Sequence, residues 1–264
     1  MPETYILSRG YTPLLISLPH GGTFIPAKIG DQMTSEARQT PDTDWHVNLL
    51  YDFVRDLGAS LIAATHSRYV IDLNRDPTGI PLYKDSDNTE LLPLKTFEHL
   101  PIYTKGNEPT GEDKQNRVRE FWHPYHTALN QELSLIKDRH GYAILFDGHS
   151  IKSNVPRFFK GKLPDLNLGT GNGLTADTTL INSAFSILEN SSYSAVLDER
   201  FTGGYITRSL GNPKDNIHAI QLELTWANYM MESPPYRFLD QKAKKLQAVL
   251  KYLIETIIQW KPYP

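Results

Sequence analysis

Short apolar runs bounded by turn-forming residues recur along this chain of 264 residues, and they alternate with longer segments in which apolar positions follow helical spacing. The runs predict strands over residues 13–18, 59–64, 69–73, 142–146, 194–197 and 219–224. The helical spacing predicts helices over residues 41–57, 115–139, 176–190 and 235–260. This alternation is typical of an α/β fold with a largely parallel or mixed sheet.

Two polar stretches rich in Gly, Pro, Asp and Asn interrupt the pattern, over residues 78–112 and 152–173. Loops of that length are usually functional or mobile, so both are candidates for lids over a site. Pro124 falls inside the predicted helix 115–139 and is expected to kink it or to begin a second helix. The motif LGTGNG in the second stretch lacks the Lys-Ser/Thr ending of a phosphate-binding loop.

Composition narrows the function classes. A length of 264 residues with 39% hydrophobic side chains predicts one domain spanning 1–264. The net charge of −3, with Lys and Arg scattered, argues against a nucleic-acid partner and favours a small molecule. No apolar run approaches the length of a membrane span and no signal segment opens the chain, so we expect a cytoplasmic protein without a membrane partner.

Three of the apolar runs lead into side chains that can bind a metal ion or move a proton. The runs are LLISLPHGG, AILFDGHS and AIQLELTW, and the side chains are those of His20, His149 and Glu223. In an α/β sheet, catalytic groups gather near the carboxyl ends of the strands, so the three residues predict one shared site. A single strand-end histidine is commonly a structural residue, and the prediction therefore depends on all three meeting.

A metal site here needs a third ligand. The chain has no cysteine, so a bound metal must use His, Asp or Glu, and catalytic zinc is often held by two histidines and one carboxylate. The segment PDTDWHVNLL offers Asp44 as the preferred third ligand, with Asp42 and His46 as lesser candidates. Capping of the predicted helix 41–57 is the alternative explanation for a carboxylate in this segment.

Asp147 and Glu223 are acidic residues in apolar surroundings. Asp147, next to the predicted ligand His149, is placed to orient the imidazole, although an Asx turn closed by Gly148 would also explain it. Glu223 lies inside the strand QLELTW, where an unpaired carboxylate is costly unless it faces a polar cavity. We interpret Glu223 as a general base, with a salt bridge to Arg208 or Arg75 as the structural alternative.

The segment SRYVIDLNRDP places Asn74 and Arg75 side by side after a predicted strand. A guanidinium group binds a carboxylate through two parallel hydrogen bonds, so the pair suggests a clamp for an acidic substrate. The alternative is a structural pairing with Asp72 or Asp76.

The segment GGYITR offers a second substrate clamp. Gly204 would allow a ligand to approach the backbone, Tyr205 could donate a hydrogen bond, and Arg208 could meet another carboxylate. A hairpin turn would explain the glycines equally well.

Six segments taken together resemble the N-formylglutamate amidohydrolase family, whose relatives are the zinc carboxypeptidases and aspartoacylases. They occur in the family's order and read PLLISLPHGG, TDWHVNLLYDF, SRYVIDLNRDP, FDGHS, GGYITR and QLELTW. The resemblance implies a three-layer α/β/α sandwich around a mixed, largely parallel sheet, as in zinc carboxypeptidases. It also implies one Zn²⁺ per chain, with another divalent metal as the alternative.

The resemblance implies roles for individual residues. His20 and His149 stand where the relatives carry histidine ligands, and Glu223 stands where they carry the general base. The relatives' His-x-x-Glu pair is broken here, since Thr23 and Phe24 follow Gly22, so Asp44 is expected as the third ligand.

The implied reaction is hydrolysis of N-formyl-L-glutamate to formate and L-glutamate, the last step of a histidine degradation route. Arg75 is expected to stabilise the oxyanion with the zinc, and Asn74, Arg75 and Arg208 to hold the small acidic N-acyl amino acid. An alternative is hydrolysis of another N-acyl amino acid or of a C-terminal peptide bond. A non-catalytic protein that binds small acids is the alternative from another class, and the oligomeric state stays open.

Overall fold

A seven-stranded sheet forms the centre of the computed structural model, which describes residues 2–82 and 87–263. Its strands lie in the order β1-β3-β2-β4-β7-β5-β6. Their bounds are β1 Tyr5–Ser8, β2 Leu14–Leu18, β3 Ser60–Ala64, β4 Ala143–Ile151, β5 Leu166–Gly169, β6 Ala195–Leu197 and β7 Ile217–Thr225. The four adjacent strands β3, β2, β4 and β7 are parallel to one another, whereas β1 and β5 each pair with a neighbour in the antiparallel sense. The predicted mixed, largely parallel sheet is therefore confirmed.

Helices cover both faces of the sheet. They are α1 Ala27–Gly30, α2 Val47–Leu50, α3 Gly111–Arg117, α4 His123–His140, α5 Thr178–Glu189, α6 Tyr205–Leu210 and α7 Asp240–Gln259. Apolar side chains of α2, α5 and α7 pack in one core cluster, and those of α4 and α6 pack in another on the opposite face. This arrangement is the predicted three-layer α/β/α sandwich. Among the described residues, no helix combines the length and apolarity needed to cross a bilayer.

The predicted helix 41–57 is wrong as a continuous element. The structure has only the short helix α2 and a 3-10 turn at Asp52–Val54 in this range. His46, immediately before α2, has φ +63°, a left-handed conformation that a right-handed helix cannot contain. The residues before His46 form a loop that approaches the carboxyl ends of β2 and β4.

The predicted strand 69–73 is also wrong. Val70 N–H donates to Ser67 O in a turn, and the apolar side chains of Val70 and Ile71 are buried in the core without a place in the sheet. The short strand β1 was not predicted, because it lies at the sheet edge and is only half-buried. Strand β5 was missed because it is four residues long and lies inside the polar stretch 152–173.

The remaining predicted elements are confirmed with shifted ends. The predicted helix 115–139 is interrupted near Pro124, as expected. A π-helical turn at Val118–Trp122 separates α3 from α4, and Pro124 is the second residue of α4. Helix α4 stops at Gly141, which has φ +80°. The loop predicted over residues 78–112 contains only isolated bridges and the start of α3 where it is described, and residues 83–86 lie outside the described part of the chain.

Candidate metal centre and active site

The three residues predicted to share a site do meet at one end of the central strands. His20 follows β2 by two residues, His149 lies near the end of β4, and Glu223 lies near the end of β7. His149 and Glu223 occupy paired positions on adjacent parallel strands. Strand β4 therefore continues past the predicted end at residue 146 and carries His149 within it.

Three possible metal-ligating atoms converge at this point. His20, Asp44 and His149 are buried, and each offers one ligand atom within 4.8 Å of the others. The Oδ2 atom of Asp44 lies 3.2 Å from Nδ1 of His149 and 3.9 Å from Nδ1 of His20. Two imidazole nitrogens and one carboxylate are a donor set that catalytic zinc sites use, so the residues fit the implied metal.

Two further carboxylates orient the histidines. Nε2 of His20 lies 2.8 Å from Oδ1 of Asp72, and Nε2 of His149 lies 2.9 Å from Oδ2 of Asp147. A histidine that donates Nε2–H to a carboxylate presents the lone pair of Nδ1 to a metal, and the carboxylate increases its basicity. Both imidazoles are thus fixed with Nδ1 toward Asp44.

The same charges set the protonation of the two histidines differently. Burial and the Arg68 guanidinium lower the pKa of His20, and they outweigh Asp72 and Asp44. Burial also opposes the charge on His149, but Asp147 and Asp44 outweigh it and raise the pKa of His149 well above its usual range. The surrounding charges therefore shift the two pKa values in opposite directions.

Local hydrogen bonds explain why Asp44 reaches the site and its neighbours do not. Asp44 N–H donates to His20 O, and its Oδ2 accepts from Ser150 N–H at 3.1 Å. The Asp42 carboxylate instead accepts from Tyr69 Oη at 2.6 Å and from a backbone N–H, so it braces the loop. His46 lies 2.6 Å from Tyr236 O and points elsewhere. Of the three candidates for the third ligand, the structure brings only Asp44 to the histidines.

Glu223 faces the same cavity with its carboxylate unpaired. Within residues 2–82 and 87–263, its side chain has no hydrogen bond or ion pair, and the salt bridge to Arg208 or Arg75 considered from the sequence is not formed there. Burial raises the pKa of Glu223 to about 8, with Asp44 and Asp147 adding to the shift and His149 and Arg68 opposing it. A carboxyl group with such a pKa is suited to exchange a proton near neutral pH.

These side chains line a cavity of about 920 Å³ whose wall also includes four arginines, namely Arg68, Arg75, Arg200 and Arg208. Arg68 is buried, donates to Asp72 Oδ2 at 2.6 Å, and its Nη1 lies 3.9 Å from Asp44 Oδ1. Arg75 donates to both oxygens of Thr89 and to the backbone of Asn74. Arg208 donates to Leu82 O and Thr202 Oγ1. The predicted cations Arg75 and Arg208 therefore lie on the cavity wall.

Arg68 and Asp72 are site residues to which the sequence assigned no catalytic or metal-orienting role. Asp72 lies between His20 and Arg68 and is completely buried. Burial disfavours its charge, but His20, Arg68 and Arg75 lower the pKa of Asp72 well below the usual range. The only sequence signal for this network was the density of charged residues in SRYVIDLNRDP.

Asn74 lies against His149, one of the three candidate metal-ligating residues. Its Nδ2 is 3.0 Å from Nε2 of His149 and 3.4 Å from Oδ2 of Asp147, and its Oδ1 accepts from Ile206 N–H at 2.8 Å. A Cβ atom at Gly204 would lie 2.2 Å from the Asn74 amide. Gly204 is therefore a close contact of Asn74, and its N–H is already donated to Gln221.

Tyr205 does not line the main cavity. Its ring lies against Trp122 and His126, at centroid distances of 5.7 Å from each, and lines a smaller pocket on the other side of α6. The residue begins helix α6, so neither the predicted substrate contact of Tyr205 nor the alternative hairpin is seen in this geometry.

Comparison with known proteins places this site in context. A family model described as N-formylglutamate amidohydrolase matches residues 12–230, a range that contains every site residue above. An N-formylglutamate deformylase of Pseudomonas putida is 44% identical over 261 residues, covering 98% of this chain and 97% of that protein. A protein of the same name from Pseudomonas aeruginosa is 42% identical over 261 residues, covering 98% of both.

Solved structures give the same picture of the fold. The crystal structure of N-formylglutamate amidohydrolase from Ralstonia eutropha has a TM-score of 0.80 at 25% identity, covering 97% of this chain and 98% of that one. A gene product of Agrobacterium tumefaciens, 16% identical, has a TM-score of 0.74, covers 97% of this chain and 94% of that one, and shares the fold.

Proposed function

This chain belongs to the N-formylglutamate amidohydrolase family, and we propose that it hydrolyses N-formyl-L-glutamate to formate and L-glutamate in a zinc-dependent reaction. Two relatives covering nearly the whole chain carry the name N-formylglutamate deformylase, which supports the substrate. The reaction would complete a histidine degradation route.

His20, Asp44 and His149 would hold the metal. A zinc ion bound there would polarise the formyl carbonyl, lower the pKa of a water molecule toward neutrality and favour the ionised form of Glu223. Asp72 and Asp147 would keep the two imidazoles in the tautomer that leaves Nδ1 available.

Glu223 would act as the general base and then the general acid. Its carboxylate takes a proton from the attacking water as the oxygen bonds to the formyl carbon, and it then delivers that proton to the amide nitrogen as the C–N bond breaks. The absence of a side-chain partner for Glu223 among the described residues leaves its carboxylate available for both transfers. Its position opposite His149 on the adjacent strand places it beside the metal ligands.

Arginine charge would stabilise the oxyanion. Arg68 is buried beside the ligands and is held by Asp72, so its guanidinium is preorganised for negative charge that develops on the formyl oxygen. Arg75 lies on the same network, with Nη1 4.0 Å from Asp72 Oδ1. We assign the oxyanion contact to Arg68 with Arg75 in support, which extends the role predicted for Arg75 alone.

The two carboxylates of the substrate need two cationic anchors. Arg75 and Arg208 line the cavity, and each is fixed in place by hydrogen bonds to oxygens of the protein. A guanidinium held in this way binds a carboxylate with little loss of side-chain entropy. A small dicarboxylic N-acyl amino acid is the substrate class that matches these anchors.

The convergence of His20, Asp44 and His149 beside an unpaired Glu223 is the observation that carries the proposal. Its substrate is tested by comparing kcat/KM for N-formyl-L-glutamate, N-acetyl-L-aspartate and a peptide with a free C-terminus. We expect the formylated substrate to be preferred by at least about tenfold, the effect of 1.4 kcal/mol in the transition state. Preference for either of the others would retain the hydrolase and change its substrate.

A further inference from the structure

A chain of buried hydroxyl groups connects helix α4 to the metal ligand His149. Tyr125 Oη lies 3.1 Å from Ser17 Oγ, and Ser17 Oγ donates to Asp147 Oδ1 at 2.8 Å. The other oxygen of Asp147 is 2.9 Å from His149 Nε2. Because the carboxylate only accepts, the Ser17 proton must point at Asp147, and Tyr125 must therefore donate to Ser17. The four side chains are all buried and form one continuous hydrogen-bonded chain, in which Asp147 accepts from both Ser17 and His149.

The same helical face, which includes Trp122 immediately before α4, holds the turn that carries Asn74. Trp122 Nε1–H, at the end of the π-helical turn, donates to Arg75 O at 3.1 Å, and His126 Nε2–H donates to Leu73 O at 2.8 Å. The two rings stack with centroids 3.6 Å apart and an interplanar angle of 14°. The backbone carbonyls on both sides of Asn74 are thus held by one rigid aromatic pair.

Helix periodicity explains why one face reaches both targets. Trp122, Tyr125 and His126 are spaced i, i+3 and i+4, so they lie on the same side of the helix. Trp122 is the last residue of the π-helical turn Val118–Trp122, which leads directly into α4 at His123 and sets the rotation of this face relative to α3. Such turns occur frequently at functional sites because they reorient side chains within a helix.

We propose that the buried face of α4 is a positioning surface for the active site: Tyr125, through Ser17 and Asp147, fixes His149 for metal binding, and Trp122 with His126 fixes the Asn74–Arg75 turn for substrate binding. The role of Tyr125 in metal binding depends only on His20, Asp44 and His149 as the metal ligands. The substrate-binding part rests on the proposed function.

The metal-binding part is tested with Tyr125→Phe, which removes only the hydroxyl group. Its matched control is Tyr142→Phe, which removes another buried hydroxyl, the one bonded to Trp260 O at 2.8 Å and remote from the site. Zinc affinity is measured by competition with a chromogenic chelator. Loss of an outer hydrogen-bond partner weakens metal binding about 10–100-fold, so we expect about tenfold for Tyr125→Phe and no change for the control. Equal affinities in the two variants would overturn this part.

A second variant shows whether Tyr125 acts through Ser17. Ser17→Ala should weaken zinc binding by at least as much as Tyr125→Phe, because it removes the bond to Asp147 itself. The double variant should then bind zinc no more weakly than Ser17→Ala alone. Additive losses would mean that the two residues act independently, which contradicts a single chain.

The substrate-binding part is tested with Trp122→Phe and the matched control Trp260→Phe, whose Nε1–H is donated to Thr179 Oγ1 at 2.9 Å, far from the site. We expect KM for N-formyl-L-glutamate to rise about tenfold in Trp122→Phe only, with zinc affinity unchanged in both variants. An equal KM in the two variants would overturn this part. If the wild-type protein bound zinc but released no formate, N-formyl-L-glutamate would not be the substrate. The zinc affinities of Tyr125→Phe and Tyr142→Phe would still decide the role of Tyr125.

Discussion

Asp44 Oδ2 lies 3.2 Å from His149 Nδ1, on the side of the imidazole opposite to Asp147. The residue reaches this position because its segment is a loop rather than the first turn of a helix. A carboxylate that could have been explained as a helix cap is therefore placed as a possible metal ligand.

We expect Asp44→Asn to weaken zinc binding. The loss of affinity should exceed the factor of about 10–100 that follows when an outer hydrogen-bond partner is lost. Asp42→Asn is the matched control, since Asp42 is also buried but accepts hydrogen bonds from Tyr69 and Phe97. It should lose about 1–3 kcal/mol of stability and keep its zinc affinity. Titration with zinc and thermal unfolding of both variants separate the two roles, and loss of zinc binding in Asp42→Asn alone would reverse the assignment.

Glu223→Gln should lower kcat by about 10²–10⁴-fold, the usual contribution of a general base, while zinc affinity stays close to that of the wild type. The control is Glu132→Gln, another buried glutamate, which is bonded to Arg9 and Ser60 away from the site. Formate release at saturating substrate is the measurement. Near-normal turnover of the Glu223 variant with zinc bound would show that another group moves the proton.

Gly204→Ala should reduce activity more than stability, because the new Cβ atom would lie 2.2 Å from Asn74 Nδ2 and displace the amide that lies against His149. The φ of Gly204 is −83°, which alanine adopts without strain, so the effect is a local steric one. Gly111→Ala is the control, since nothing in the described part of the chain, apart from its two neighbours and its own helix backbone, lies within 4 Å of an added Cβ atom. Activity and melting temperature are compared, and full activity of Gly204→Ala would contradict the contact with Asn74.

The pH dependence of stability should contain a contribution from His126. Burial lowers the pKa of His126 to about 4, although the bond to Leu73 O opposes the shift. Between pH 6.5 and 4 the unfolded chain therefore binds one more proton at this residue than the folded chain, and stability falls as the pH falls. The free energy of unfolding falls by about 3 kcal/mol between pH 6.5 and pH 4 through this residue.

His126→Gln removes this titration. The difference in unfolding free energy between wild type and variant should shrink as the pH is lowered from 7 to 4, measured in denaturant with a chelator present. A difference that stays constant over this range would show that His126 keeps an ordinary pKa in the folded protein.

The sequence was sufficient where a local pattern determines the structure. Long apolar runs such as Leu14–Leu18 are buried in central parallel strands, and the position of His20, His149 and Glu223 near strand ends follows from that architecture. The arrangement of the sheet made their meeting predictable. Their roles as ligands and base remain predictions for the experiments above.

The sequence was insufficient where tertiary contacts override local preference. The segment around Asp44 has helical spacing but is held as a loop by bonds to His20 and Ser150. Tyr205 follows two glycines in a motif that suggested substrate contact, yet its ring packs on Trp122 and His126. Arg68 and Asp72 pair with each other locally, but their roles could not be assigned because the site partners His20 and Asp44 come from distant segments.

The proposed reaction is metal-assisted hydrolysis of N-formyl-L-glutamate at the site of His20, Asp44 and His149. The most direct test is formate release by the purified protein, measured with its zinc content before and after chelation and after zinc is restored. We expect about one zinc per chain, loss of formate release with the metal and recovery when zinc is added. Formate release that is unchanged after complete removal of metal, or zinc bound at this site without any formate release, would rule out this reaction.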